Sequence, residues 1–416
     1  MHKTYEEMKD SGVEWIGMVP EHWTIAKQKY FIKLINGRAY ADDEFEAEGK
    51  YRVLRVGNFF TNSSWYYSDL ELEPEKYCDN GDLLYAWSAS YGPKIWDGGK
   101  VIYHYHIWKC ELGKRVNKIF CYYYFLALGQ FVANSAHGTA MMHITMQMMN
   151  NAFMTVPPLS EQAAIAAYLD DKCGAIDAII TEAKAGIEEY KAWKASVIFE
   201  AVTKGLDPNA EMKDSGVEWI GQIPRHWDAT RLQRVFRIKK DIAGKIGYTV
   251  LSVTQQGIKP KNMNSKGQFA LDYSKYQLVH KGDFVMNHMD LLTGWVDISV
   301  FDGVTSPDYR VFSSVVNCQD AFFRYVFQYC YLNRVFYGLG QGVADVGRWR
   351  LPADMFRKFM LPFPPLSEQA AIAAYLDDKC SAIDGVIAEK EALIAELETY
   401  KKSLIFETVT GKRRVC

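Results

Sequence analysis

The sequence predicts two mixed α/β (α+β) lobes in one chain, joined by two long antiparallel helices of coiled-coil type and related by an internal pseudo-two-fold repeat. Three observations predict it. The segment MKDSGVEWIGMVPEHW, starting at Met8, returns at Met212 as MKDSGVEWIGQIPRHW, with thirteen of sixteen positions identical. PPLSEQAAIAAYLDDKCGAIDAII, starting at Pro157, returns at Pro364 as PPLSEQAAIAAYLDDKCSAIDGVI, with twenty-one of twenty-four identical. Between these near copies, residues 24–156 and 228–363 have diverged almost completely. A period of roughly 207 residues is far too long for a solenoid, and it means duplication of a whole domain with its connector.

In chain order the repeat gives four segments: a first lobe with its lead-in over 1–157, a helical connector over 158–206, a second lobe with its lead-in over 207–363, and a second connector over 364–416. In each lead-in, Trp15, Pro20 and Trp23 with their copies Trp219, Pro224 and Trp227 read as packed core and interface that docks the lobe. Inside the lobes, β-rich runs such as YRVLRVGNFF, KVIYHYHIW and YTVLSV alternate with Gly, Asn and Asp turns. Fainter echoes persist there. Gly81-Asp82 answers Gly282-Asp283, and the aromatic segment Phe120–Leu128, read as a buried helix, answers Phe322–Tyr331.

The first connector starts with a helix signal, Ser160 as N-cap and Glu161 at the positive end. Apolar residues follow at helical spacing: Ile165, Leu169, Ile176, Ile179, Ile180, Ala183, Ile187, Tyr190 and Val197. Gly205 and Pro208 end the pattern, giving a helix of about 45 residues, roughly 67 Å long. The second copy runs from Ser367 to about Gly411 with Ile372, Leu376, Ile383, Ile387, Ile394 and Leu397 in its stripe. Two equivalent long helices, one leaving lobe 1 and one returning from lobe 2, are expected to pair antiparallel. Identical connectors imply that each copy meets the same kind of partner. Diverged lobes imply that each reads something different.

The 416 residues carry a formal net charge of −2, so the chain is no polycation, and local basic surfaces must do any nucleic-acid binding. Residues 231–281 hold eleven Lys and Arg against two acids. Eight cysteines are scattered without a Cys-x-x-Cys pair, which suggests neither a zinc ribbon nor a disulfide framework and fits a reducing cytoplasm. The starting segment MHKTYEEMKD has no apolar signal region, and IFCYYYFLALGQFVA is too short and too polar to span a bilayer.

Motifs for chemistry are missing from the sequence. It contains no phosphate loop, no dinucleotide fingerprint, no Asn/Asp-Pro-Pro-Tyr/Phe methyltransferase loop and no nucleophile elbow. No catalytic residue and no metal site is therefore expected. His104 and His106 would share one strand face as a possible metal pair, but a third ligand is wanting, and packed or surface histidines are the simpler reading. Pro307-Asp308 lacks the acid-x-Lys that would complete a nuclease pair.

SGVEWIG-x-x-P-x-HW before a variable domain, then PPL-x-EQ-x-x-I-x-x-x-L opening a long helix, with both repeated once, resembles the specificity (S) subunit of type I restriction–modification systems. The resemblance implies a non-catalytic DNA-binding chain. Each lobe would read one half of a bipartite, asymmetric double-stranded target. The helices would dock two methyltransferase (M) subunits, and a motor-nuclease (R) subunit would join them. The helix residues put forward for docking are Ile165, Leu169, Ile176, Ile187, Ile372, Leu376, Ile383 and Ile394. No cofactor is expected on this chain, because S-adenosylmethionine, ATP and Mg2+ would serve the partners. The setting implied is a prokaryotic cytoplasm, with no membrane partner.

Base readout needs amides, guanidinium groups and hydroxyls at groove edges, with Lys and Arg on phosphates for register. In lobe 1 the candidates are Trp87, Ser88, Ser90, Tyr91 and Lys94 after the GDLLYA strand, with His137, Thr139 and His143 near the lobe's end. In lobe 2 they are Asn287, His288, Arg310, Arg348 and Arg350, with Lys259 and Lys261 for phosphates. Two other classes stand beside this reading: a single-chain nuclease–methyltransferase, which the missing motifs disfavour, and a coiled-coil scaffold with two protein-binding lobes.

Overall fold

The structure, a computed structural model, describes residues 5–88, 90–135, 144–261, 272–343 and 348–415, with the backbone alone at 133–135, Val343 and Arg348. His137, Thr139 and His143 lie outside the described residues. The chain divides into two compact units, Met1–Ala183 with Glu391–Cys416, and Lys184–Lys390. Each unit thus takes part of both long helices.

The first unit is built on four strands, β1 (Ile32–Asn36), β2 (Leu83–Ser88), β3 (Ser90–Ile95) and β4 (Ile107–Leu112), in the antiparallel order β1-β4-β2-β3. Helix α1 (Lys118–Ser135) supplies the aromatic core, burying Phe120, Tyr123, Tyr124 and Phe125. A second four-stranded sheet, in which Val101–Tyr103 runs parallel to Tyr51–Leu54, flanks the first. Two runs expected as strands are broken. Tyr51–Leu54 is a strand, but Val56–Phe60 turns into a short helix. Val101–Tyr103 and Ile107–Leu112 belong to different sheets, with a turn at 104–106 closed by Ile107 N–H donating to His104 O at 2.9 Å. His104 and His106 therefore sit in a turn and not on one strand face.

The long helix α2 (Leu159–Lys204) spans 46 residues, close to the expected length. It begins two residues early: Gln162 N–H donates to Pro158 O at 2.9 Å, so Ser160 lies in the first turn and does not cap it. In the second unit the main sheet repeats the first: β5 (Phe236–Lys239), β6 (Phe284–Met286), β7 (Val296–Ile298) and β8 (Arg310–Ser314), in the order β5-β8-β6-β7. The aromatic helix returns as α3 (Asp320–Leu332), and the connector as α4 (Leu366–Val409), 44 residues long.

The apolar stripe of the connectors is core. Ile165, Leu169, Ile176, Ile180, Ala183, Ile187, Ile372, Leu376 and Ile383 are buried, and Ile394 is half-buried. Ile179 departs from the expectation at 46% exposed, because at 100° per residue it lies about 60° from Ile176 on the edge of the stripe. Within the first unit, Lys401 on α4 bridges Asp177 on α2 at 2.6 Å. Within the second, Lys194 on α2 bridges Asp384 on α4 at 2.6 Å. The two bridges are repeat equivalents. In the second unit, Gly186 lies beside Lys390 while Lys194 reaches back to Asp384, so the segments run antiparallel there, as expected.

The identical connector residues mostly fasten each lobe to its own helix. Glu161 accepts from Trp23 Nε1 at 3.0 Å and holds His22 at 2.6 Å; Glu368 accepts from Trp227 Nε1 at 2.9 Å and holds His226 at 2.7 Å. Gln162 accepts from Asn117 N–H at 2.7 Å just before α1, and Gln369 accepts from Gln319 N–H at 2.8 Å just before α3. Asp170 takes the Tyr123 hydroxyl at 2.8 Å, and Asp377 that of Tyr325 at 2.7 Å. The HW and SEQ motifs are thus two halves of one device; Trp23 and Trp227 are core, and Trp15 and Trp219 are half-buried against it. At the far end of α2, Gly205 adopts a φ of +76°, and a side chain there would press on the Trp227 ring 3.1 Å away.

Candidate nucleic-acid interface

Both lobes build their candidate face at the same topological place, the end of the strand that follows Gly-Asp. Gly81 and Gly282 have φ of +88° and +93°, which a tight turn with a side chain would disfavour. The aspartates close these turns on backbone N–H groups: Asp82 on Asp79 and Asp283 on His280, both at 2.9 Å. Each then needs a cation. Lys109 on β4 reaches Asp82 at 2.7 Å, and Lys239 on β5 reaches Asp283 at 2.6 Å. Lys109 stands opposite Ile35, whereas Lys239 stands opposite Val311. The cation and the aliphatic residue have exchanged strands while the ion pair survived, so the turn is a shared structural element.

Beyond that turn the lobes part. Sheet register matches Tyr85–Trp108 in lobe 1 with Met286–Arg310 in lobe 2, and the strand order then places Trp87 where lobe 2 has His288. In lobe 1 these positions form an aromatic stack. Trp108 lies 6.0 Å from Tyr85 and 5.8 Å from Trp87, with rings within 20° of parallel. Trp87 Nε1 donates to Tyr105 O at 2.8 Å. Its register partner on β3 is Tyr91, and Ser88 pairs with Ser90, so four of the lobe 1 candidates come together at one hairpin tip. Ser88 is buried and Ser90 exposed. Lys94 sits back along β3 opposite Leu84, occupied by Asp97 at 3.7 Å and the Trp96 ring at 5.4 Å.

The turn at 104–106 adds groups that the sequence reading did not place among the DNA-reading candidates. Tyr105 is exposed, the His104 and His106 rings lie 4.7 Å apart, and Arg55 stacks its guanidinium 5.1 Å over Tyr66. Burial, with His106 and Arg55 nearby, pushes His104 down to about 4, so it is neutral at physiological pH. Among the described residues no group of three or more His, Cys, Asp or Glu is placed to hold a metal ion. The signal for this turn was present in the alternation of His and Tyr, but it read as a strand.

In lobe 2 His288, Arg310 and Arg350 line one cavity of about 520 Å³, together with Gln341, Gly342, Leu351, Pro352 and Ala353. Arg310 and Leu351 are buried and form its floor, while Gln341 and Arg350 are exposed at its rim. Arg310 is only 4% exposed. Its Nη2 donates to Leu351 O at 2.9 Å, and its guanidinium lies 4.5 Å from the Phe356 ring centre. Burial, with Arg357 adding to it, lowers its pKa to about 10, which still leaves it charged. Burial and the charges of Arg310 and Arg350 push His288 down to about 4.

The other lobe 2 candidates stand elsewhere. Asn287 uses its side-chain oxygen on its own turn, accepting from Met289 N–H at 3.3 Å. Lys259 is exposed on the Gly257–Pro260 strand and donates to Gln256 Oε1 at 2.9 Å; Lys261 is exposed just beyond it. Arg348 is described in backbone only, paired with Val343.

Residues 20–189 match the family described as the type I restriction modification DNA specificity domain. Relatives align over nearly the whole chain. The type I restriction enzyme MjaVIII specificity subunit of Methanocaldococcus jannaschii is 26% identical, covering 95% of this chain and 94% of the relative. The EcoBI specificity subunit of Escherichia coli is 17% identical, covering 99% and 90%. Over nearly its whole length the chain is thus similar to specificity subunits of type I restriction–modification systems. A chain from a solved type I R-M system shares the fold with a TM-score of 0.67 at 12% identity, covering 94% of this chain and 98% of its own length. The domain match falls on the first half of the chain, and the internal repeat carries the same architecture into the second.

The eight helix residues put forward for docking are occupied by the chain's own packing, seven of them buried and Ile394 half-buried. The helix surface offered to solvent includes Trp193, 53% exposed, and its repeat equivalent Tyr400, 49% exposed.

Proposed function

We propose that this chain is the sequence-reading subunit of a type I restriction–modification complex, each lobe reading one half of a bipartite, asymmetric DNA target. One observation carries the reading. The two lobes share turn, ion pair, sheet order and anchoring, yet present an aromatic, hydroxyl-bearing tip in one and a cationic recess in the other. A fold kept constant beneath a face that changes is the arrangement expected of two readers with different targets. The family match supports the same conclusion, and the chain is the non-catalytic member of the complex.

The partners in this reading are double-stranded DNA, methyltransferase subunits and motor-nuclease subunits. S-adenosylmethionine, ATP and Mg2+ act on those partners. Trp193 and Tyr400, equivalent by the repeat, offer like surfaces to two methyltransferase copies. No helix among the described residues is long and apolar enough to cross a membrane, which fits work beside DNA in a prokaryotic cytoplasm.

The test is binding of the purified chain to duplex DNA across a salt series, with labelled S-adenosylmethionine added before and after a methyltransferase partner. The expected result is affinity that falls steeply with salt, and methyl transfer only with the partner. Salt-independent binding, or transfer by the chain alone, overturns the reading.

A further inference from the structure

We propose that the recess in lobe 2 is a phosphate-binding site, with Arg310 and His288 as the groups that hold the oxyanion. The proposal rests on the DNA-reading function for the identity of the phosphate, a backbone phosphate of the duplex, but not for the existence of the site.

Among the described residues, Arg310 Nη1 and His288 Nδ1 are buried with no hydrogen-bond partner, and Arg310 has no ion pair. A buried guanidinium without a counter-ion is costly, and folds normally neutralise or pair such a group. Lobe 1 shows that the fold does not require it. In the register position of Arg310 that lobe has Trp108, stacked between Tyr85 and Trp87 and 2% exposed. The same sheet is therefore filled with stacked aromatic rings in one copy and left with an unpaired guanidinium beside a cavity in the other. A charge retained where its own repeat has an aromatic ring has a use outside folding.

The chemistry of the recess selects the ligand. Arg350 at the rim adds a second cation, and among the described residues the lining contributes no carboxylate. A neutral imidazole can turn its Nδ1–H toward an acceptor, and Nη1 carries two N–H groups. Bidentate reading of guanine needs a fork of donors displayed at the surface. Here Nη2 is committed to Leu351 O and the guanidinium lies on the floor. A phosphate oxygen projects from its backbone and can enter a recess; a base edge in a groove does not.

The experiment compares the full wild-type chain with Arg310→Met in two arms. In the first, thermal unfolding is followed in chloride and in inorganic phosphate at matched ionic strength. A millimolar site at tenfold excess raises the midpoint by about 2–4 °C. Wild type should show the rise and Arg310→Met should not, while the variant's midpoint in chloride should equal or exceed wild type. In the second arm, duplex DNA binding is measured across salt. Arg310→Met should weaken binding at least about tenfold, on unrelated sequences alike, with the salt slope reduced by about 1.

Loss of the phosphate effect together with weaker DNA binding supports the site and its backbone source. Loss of the phosphate effect with unchanged DNA binding supports the site with free phosphate as its ligand, and separates it from the DNA reading. An equal phosphate effect in both proteins overturns the site. Weaker binding confined to one DNA sequence also overturns the phosphate assignment, in favour of base reading. If Arg310→Met folds poorly, His288→Gln at the second unpartnered nitrogen gives the same comparison and should shrink the phosphate-induced rise.

Discussion

Replacing Gln162 by Leu should loosen helix α1 and leave α3 untouched. Gln162 is fully buried and makes three bonds: it accepts from Asn117 N–H and donates to Pro157 O and Arg115 O, at 2.7, 2.8 and 3.0 Å. Leucine has a similar volume, so the cavity cost is small, and the loss comes from orphaned backbone groups. At about 1 kcal/mol each, three such groups cost about 3 kcal/mol. Gln369 makes two bonds, to Gln319 N–H and Pro364 O, so Gln369→Leu should cost about 2 kcal/mol and act on α3. Hydrogen exchange followed by mass spectrometry resolves the two helices. A loss of about 3 kcal/mol speeds exchange limited by local opening roughly a hundredfold. Exchange in α1 within threefold of wild type would refute the reasoning, as would acceleration spread equally over α1 and α3.

The exposed bridges contribute little: Asp384→Asn, which breaks the contact with Lys194, should lower stability by less than about 1 kcal/mol in a denaturant titration, an amount that shrinks further in high salt. His104 and His288 are both held neutral, down to about 4 from 6.5, chiefly by burial. The unfolded chain takes up these protons first, so stability should fall as pH drops from 6.5 toward 4, and His104→Gln with His288→Gln should flatten that slope in pH-dependent unfolding. Trp193→Ala combined with Tyr400→Ala should weaken methyltransferase binding by at least about tenfold in a pull-down titration while leaving duplex affinity of the isolated chain unchanged.

The repeat made most of the architecture legible. Identical blocks at Met8 and Met212 and at Pro157 and Pro364 announced two units and two long helices, and the stripe from Ile165 to Ile187 marked the buried face. What the pattern could not convey was where polar atoms find partners. Gln162 and Asp170 looked like ordinary surface residues of an amphipathic helix, because their use depends on Asn117 and Tyr123, far off in sequence. The run KVIYHYHIW read as one strand because a turn between two sheets leaves apolar residues on both sides of it. At the candidate face, His288, Arg310 and Arg350 were legible as residue types, and the structure gathers them. The equivalence of Arg310 to Trp108 was invisible, since only sheet register reveals it.

The central claim is that each lobe reads its own half of the target. Exchanging residues 24–156 for the equivalent lobe of a relative, then mapping methyladenine across the genome of cells carrying the hybrid complex, tests it most directly. The account predicts a methylated sequence with one half replaced and the other half intact. A hybrid complex that methylates with both halves altered, or with neither altered, would contradict it.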